Sequence, residues 1–187
     1  MKSLLLLTLL FSCLFAFLPA LDAQTKPKKN QPLPYDHTDG YRVLSSIIDA
    51  MTEKLKSESV SVFHQTVSEE AFGEVRVQCS SSFPREFQSA LEDFDKKTKT
   101  KFLLQQEFSI QKEYRFVETM VGVQAGVYSM SAVGFDENKT HSIVLVQYLV
   151  HPAGSIVLGG SRVFHLLRKS AKGWQDATDI PKCGQIY

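Results

Sequence analysis

The sequence predicts an α+β domain, in which a C-terminal antiparallel β-meander of about four strands follows two helices and one earlier strand. Two observations predict this fold class. Apolar residues recur at helical spacing in the first half of the chain, and in the last third they alternate with polar residues between short turns. The 187 residues are 43% hydrophobic and 22% charged, which is typical of a globular protein.

Two helices and one strand are predicted in the first half of the chain. Residues 41–56 form the first helix, because they carry a helical repeat of Val43, Leu44, Ile47, Ile48, Met51 and Leu55. Residues 60–67 form a strand that is apolar on both sides, which favours a place inside a sheet. The second helix begins near Ser82 and Pro84, and its buried stripe is Phe87, Ala90, Leu91 and Phe94.

The meander is predicted from four alternating segments, at residues 126–135, 140–150, 162–168 and 174–180. Strands that follow one another through short turns pair antiparallel, and we expect the two helices to cover one face of the resulting sheet. Trp174, the only tryptophan, begins the last segment. We expect its ring to be buried, with the indole N–H bonded to a carbonyl or water.

The N-terminus has the pattern of a secretory signal peptide. A short positive start is followed by the apolar run from Leu4 to Leu18, then by Pro19 and small residues. We expect cleavage after Ala23, with Ala20 as a second position, and therefore a periplasmic or secreted protein. The alternatives are a retained N-terminal anchor and a lipoprotein anchored at Cys13.

The organisation that follows is a signal peptide at residues 1–23, a flexible linker rich in Pro and Lys at 24–39 and one α+β domain at 40–187. Cys79 and Cys183 are the two cysteines left after cleavage. Because exported proteins meet an oxidising compartment, we expect these two cysteines to form a disulfide. The alternative is a reactive thiol, but neither cysteine lies beside a histidine or asparagine in a catalytic pattern.

Charge and hydropathy exclude two classes of partner. With 21 Lys and Arg against 20 Asp and Glu, the net charge of +1 gives no basic field to hold a nucleic acid. Beyond the signal peptide no apolar run reaches the ~20 residues that a membrane-spanning helix needs. We therefore expect no nucleic-acid partner and no membrane span after cleavage.

No local motif assigns a catalytic residue, a cofactor or a metal ligand. The sequence lacks the patterns of serine hydrolases, phosphate-binding loops, dinucleotide-binding folds and zinc proteases. No two of its five histidines lie two or four residues apart, so a metal site would need residues distant in sequence to converge. His64, His151 and His165 are the candidates for such convergence.

The glycine-rich connection near residue 155 is the candidate binding loop. An apolar trio lies between glycines there, and the candidate residues are Ser155, Ile156, Val157, Leu158, Gly159 and Gly160. Loops often carry binding residues, and glycine allows unusual backbone angles. The alternative is that this segment begins the next strand, with Gly159–Gly160 as a bulge or a point of close packing.

Several short segments together resemble a family of exported bacterial proteins of unknown function. They are VSVFHQT at residues 60–66, LEDFDKK at 91–97, the strand pair at 131–136 and 143–146, and VFHLLRK at 163–169 with Gly173-Trp174. The resemblance covers residues 41–177. It implies a bacterial envelope or secreted protein and carries over no catalytic residue. The chain departs from the family at 151–160, where similar chains often carry a cysteine-bearing glycine-rich loop.

These observations favour an exported, non-catalytic domain that binds an envelope protein or a small ligand through its sheet face or its glycine-rich connection. The first alternative is a small exported hydrolase or metal-dependent enzyme, whose site is assembled only in three dimensions. The second alternative is a purely structural secreted module.

Overall fold

The fold consists of one large β-sheet with helices on both faces, together with a small two-stranded sheet. The structure is a computed structural model and describes residues 32–120, 126–150 and 159–186. The helices are α1 (Thr38–Leu55), α2 (Gly73–Gln78) and α3 (Gln88–Lys97). The strands are β1 (Leu33–Pro34), β2 (Val60–Phe63), β3 (Phe102–Leu103), β4 (Tyr114–Val117), β5 (Val127–Met130), β6 (Gly134–Phe135), β7 (His141–Val150), β8 (Gly159–Ser170), β9 (Gly173–Asp176) and β10 (Gly184–Ile186).

The large sheet has the strand order β10-β8-β7-β5-β2-β4, with β6 paired to β7 and β9 paired to β8. Strands β5, β7 and β8 are antiparallel, as the meander prediction requires. Strand β2, however, is parallel to both β4 and β5. The α+β class is confirmed, but the sheet is mixed, because the long connections after β2 allow parallel pairing that a short turn does not.

The predicted strand boundaries differ most from the observed ones at the first and last of the four segments, and the segment at 162–168 extends to Gly159–Ser170 in β8. The segment at 126–135 forms two strands, β5 and β6, which both pair with β7. Between them, the Ser131 hydroxyl accepts a hydrogen bond from the Leu145 N–H and so replaces a regular ladder contact. The segment at 174–180 ends as a strand at Asp176. Strands β1, β3, β4 and β10 were not predicted.

Both predicted helices are present with shifted boundaries. Helix α1 begins at Thr38 because the Nδ1 atom of His37 accepts a hydrogen bond from the Gly40 N–H at 3.2 Å, which caps the first turn. The second predicted helix begins as a 3-10 turn at Arg85–Phe87 and continues as α3. The buried residues of this region are those predicted: Phe87, Ala90, Leu91 and Phe94.

The two long helices lie on opposite faces of the sheet, so the prediction that both cover one face is wrong. Helix α1 packs in a core with Val144 and Val146. Helix α3 packs in a second core with Ile143 and Leu145. Successive side chains of a strand point to opposite faces of the sheet, and β7 is apolar on both faces. Each face must therefore be buried by a separate helix.

The folded domain begins before residue 40. Leu33 pairs with Phe102, and Tyr35, only 3% exposed, accepts a hydrogen bond from the Val133 N–H through its hydroxyl at 3.2 Å. The part of the predicted linker from Leu33 onward is therefore folded, because its few apolar side chains find partners in the domain. The predicted signal peptide and residues 24–31 lie outside the described residues.

Trp174 is buried, as predicted, with 7% of its surface exposed. Its ring centroid lies 5.5 Å from that of Phe135, and the ammonium of Lys169 lies 5.5 Å from the ring. Its indole N–H bonds to no carbonyl among the described residues. The contacts of the ring with Phe135 and Lys169 hold this side chain in place.

Candidate functional site

A cleft of about 370 Å³ lies between the C-terminal half of α1 and the large sheet. Its floor is formed by the sheet, one wall by α1 and the opposite rim by the chain after β8. The lining residues are Ile47, Ala50, Met51, Lys54, Leu55, Val146, Tyr148, Ser161, Val163, His165, Asp176, Lys182 and Ile186.

The alternation of β8 decides which side chains form the floor. Ser161, Val163 and His165 point to the α1 face, while Phe164 and Leu166 pack in the core beneath α3. The register places β7 residues beside them: Tyr148 pairs with Ser161, and Val146 pairs with Val163. The floor is thus continuous across two strands.

Three polar side chains meet at one end of the cleft. Lys182 Nζ donates a hydrogen bond to Asp176 Oδ2 at 2.6 Å, and His165 Nδ1 lies 3.1 Å from Asp176 Oδ1. Lys182 Nζ also lies 3.2 Å from His165 Nδ1. We call these residues the polar cluster. An Nδ1 proton would bond to Asp176, whereas an Nδ1 lone pair would accept from Lys182, so the cluster accommodates either tautomer.

Asp176 carries the negative charge of the polar cluster. Burial raises the pKa of Asp176, but hydrogen bonds and charges from His165 and Lys182 outweigh it and hold the pKa below its ordinary value. The imidazole of His165 is almost completely buried, with 4% of its side chain exposed. The cluster therefore keeps an ionised carboxylate at neutral pH in a largely enclosed place.

The disulfide fixes the segment that supplies Lys182. Cys79 and Cys183 are joined, with their Cα atoms 5.7 Å apart, as the sequence predicts. The Phe164 N–H donates a hydrogen bond to the Cys183 carbonyl at 2.9 Å, and β10 then pairs with β8. Lys182 thus enters the polar cluster from a segment that is tied both to β8 and to the region after α2.

A second hollow, of about 390 Å³, adjoins the cleft and shares three of its lining residues, Ile47, Ala50 and Asp176. Its other lining residues are Ser46, Leu167, Trp174, Gln175 and Thr178. The polar cluster therefore lies where the two hollows meet along α1.

Another cavity, of about 290 Å³, lies where the parallel strands β2 and β4 end. His64 lines this cavity, and its Nδ1 atom lies 2.9 Å from Glu118 Oε1. His165 lines the α1 cleft instead, so the two histidines do not share a site, and His151 lies outside the described residues. Across residues 32–120, 126–150 and 159–186, no three His, Cys, Asp or Glu side chains are grouped as a metal site would require.

The predicted binding loop is only partly described. Four of the candidate residues lie outside the described residues: Ser155, Ile156, Val157 and Leu158. The other two, Gly159 and Gly160, begin β8 and pair with Val150 and Leu149. A Cβ atom on Gly160 would lie 2.2 Å from the Tyr148 carbonyl oxygen, so this glycine is a point of close packing. That outcome agrees with the alternative interpretation of the two glycines.

Of the three residues in the polar cluster, only His165 was predicted as a candidate from the sequence; Asp176 and Lys182 were not. Both residues lie within 17 positions of His165, yet no fixed spacing relates them. The available signal was the predicted Cys79–Cys183 pair, which implied that the segment beside Cys183 returns to the domain. It did not show which face of the sheet the segment meets.

Comparison with other proteins adds no relative: no protein-family model, curated protein or solved structure matches this chain. Among the described residues, no helix is both long and apolar enough to cross a membrane.

Proposed function

We propose that this protein is a non-catalytic binding domain that holds a small ligand in the α1 cleft. The observation that carries the proposal is the polar cluster at one end of a cleft whose other walls are mainly aliphatic. Binding sites for small molecules are typically apolar concavities of this size with a few convergent polar groups, which orient the ligand.

The internal distances of the cleft favour binding over catalysis by a serine nucleophile. The hydroxyl nearest in sequence to His165 within the cleft is that of Ser161, four residues away on the same strand. At the rise of an extended strand this is about 13 Å, whereas a nucleophile and its base must lie within hydrogen-bond distance. His165 is instead engaged by Asp176 and Lys182.

We propose that the domain acts outside the cytoplasm, in the envelope of a bacterium or beyond it. The Cys79–Cys183 disulfide supports this location, because such bonds persist in oxidising compartments. The signal-peptide pattern at residues 1–23 supports it independently, as does the resemblance to exported bacterial proteins.

The binding proposal is tested with the neutral fluorophore N-phenyl-1-naphthylamine, whose emission rises in an apolar site. We expect saturable binding to the oxidised chain. Ala50 is exposed on α1 and lines the cleft, so Ala50→Trp fills the cleft without disturbing a core residue and is expected to abolish binding.

The matched control is Ala171→Trp, at an exposed alanine in the turn between β8 and β9. This variant is expected to bind the fluorophore as the unaltered chain does. Equal binding by Ala50→Trp and Ala171→Trp, with circular dichroism showing both folded, would place the fluorophore elsewhere and contradict the proposal.

A further inference from the structure

We propose that the ligand of the α1 cleft is an amphipathic anion, such as an aliphatic carboxylate. Its acid group would lie at the polar cluster, and its hydrocarbon chain would run toward Leu55 and Ile186. This inference rests on the proposed binding function and specifies the chemical class of the ligand.

The cleft has a polar end and an apolar end, and the register of the sheet fixes their order. His165 lies at one end of the floor, Val163 with its partner Val146 in the middle, and Ser161 at the other end. Ile186 pairs with Ser161 and therefore belongs to the end away from His165. The two ends are about 13 Å apart along β8.

Helix α1 follows the same order. Ile47 and Ala50 lie at the polar end, because they also line the neighbouring hollow with Asp176 and Trp174. The last turn of α1 lies at the other end, where the Thr52 hydroxyl is 3.3 Å from that of Tyr128. The Tyr128 ring lies 5.0 Å from that of Tyr148. Leu55, three residues after Thr52, thus belongs to the apolar end.

Two large aliphatic side chains are exposed at this apolar end. Leu55 is 45% exposed and Ile186 is 89% exposed, and both line the cleft. Covering exposed aliphatic surface with a hydrocarbon chain is favourable in proportion to the area removed from water. An apolar tail that leaves the cleft between them would bury both side chains.

The charges that line the cleft sum to one positive charge, which favours an anionic ligand. The charged lining residues are Lys182 and Asp176 at the polar end and Lys54, which precedes Leu55 in the last turn of α1. An ammonium group has three N–H donors, and Lys182 directs at most two of them to Asp176 and His165. One donor of Lys182 remains for a ligand at the polar end. A cationic ligand would face two ammonium groups and the one carboxylate of Asp176, which is already paired with Lys182.

The test compares octanoate with octan-1-ol, which share one hydrocarbon chain and differ in charge, by calorimetric titration of the oxidised chain. We expect octanoate to bind at least about tenfold more tightly than the alcohol at neutral pH. Lys182→Met is expected to remove most of this preference, because it removes the ammonium group at the polar end of the cleft. Lys172→Met, at an exposed lysine in the turn after β8, is the matched control and is expected to keep the preference.

The outcomes distinguish failure of the proposed ligand class from failure of the proposed binding function. Octan-1-ol binding as tightly as octanoate, or a preference that survives Lys182→Met combined with Lys54→Met, would overturn the anion while retaining the cleft as a binding site. If neither compound binds and the fluorophore also fails to bind, the binding function is overturned together with the ligand class.

Discussion

Lys182 Nζ lies 2.6 Å from Asp176 Oδ2, and the residue that follows Lys182 is bonded through its sulfur to Cys79. Lys182 therefore lies on a segment that a covalent bond ties to a residue more than a hundred positions earlier in the chain. Stability and the geometry of the cleft depend on the same cross-link.

Removal of the disulfide is predicted to destabilise the domain substantially. The two cysteines are 104 positions apart, and closing a loop of about 100 residues is worth up to about 4.7 kcal/mol in the chain-entropy model. We expect the double variant Cys79→Ser with Cys183→Ser to lose free energy of unfolding toward that value, as measured by urea denaturation. Reductant should lower the midpoint of the unaltered chain but not that of the double variant. Equal midpoints for the oxidised chain and the variant would refute the prediction.

Asp176→Asn is predicted to lower stability at neutral pH by about 1–3 kcal/mol, because His165 and Lys182 lose a charged partner in a half-buried place. The folded pKa of Asp176 lies below its ordinary value. The contribution of the ionised Asp176 carboxylate to the free energy of unfolding is therefore present above the unfolded pKa of about 3.9. This contribution is lost as the pH falls through the folded pKa.

Urea unfolding of the unaltered chain and of Asp176→Asn from pH 7 to pH 3 checks this prediction. The difference between the two is expected to shrink below about pH 4. Asp36→Asn is the control, since Asp36 is exposed and makes no ion pair with any described residue. A constant difference across the range would show that charge at Asp176 is not the cause.

His37 is predicted to make the domain less stable in weak acid. Burial and then the charges of Lys97 and Lys139 lower the pKa of His37, and its Nδ1 atom caps α1 only when that atom carries no proton. A lowered folded pKa stabilises the domain above the unfolded value of about 6.5, and this contribution is lost as the pH falls through the folded pKa.

The informative variant is His37→Asn, because asparagine is also a good N-cap and does not titrate. Below about pH 6.5 the unaltered chain is expected to lose stability relative to this variant, measured by urea unfolding at each pH. His37→Ala, which removes the cap, should cost about 1 kcal/mol at neutral pH. Parallel pH profiles for the unaltered chain and His37→Asn would rule out this role for the imidazole.

Much of the fold follows from local pattern, and the exceptions have physical causes. The helical repeat predicted α1, and the presence of two cysteines in a chain expected to be exported predicted the disulfide between them. Strand β4 was missed because it has only four residues and lies at the sheet edge, where no regular alternation with a buried face marks it. Its parallel pairing to β2 depends on contacts between residues more than fifty positions apart.

The candidate site was less predictable than the fold. His165 could be named as a candidate because histidine is a chemically versatile residue, but Asp176 and Lys182 are ordinary charged residues in the sequence. They meet His165 only because the chain reverses after β8 and the disulfide then returns the following segment to the same strand. Neither chain reversal produces a characteristic spacing between His165, Asp176 and Lys182 in the sequence.

Strand β8 carries the floor of the cleft on one face and part of a hydrophobic core on the other. Deleting or inserting one residue inside it would exchange His165 with Phe164 or Leu166 and so bring an imidazole into the core and an apolar side chain into the cleft. Changes in chain length along this strand should therefore be tolerated only near its ends. Under the proposed binding function, new ligand preferences would arise instead by substitution at the alternate positions Ser161, Val163 and His165.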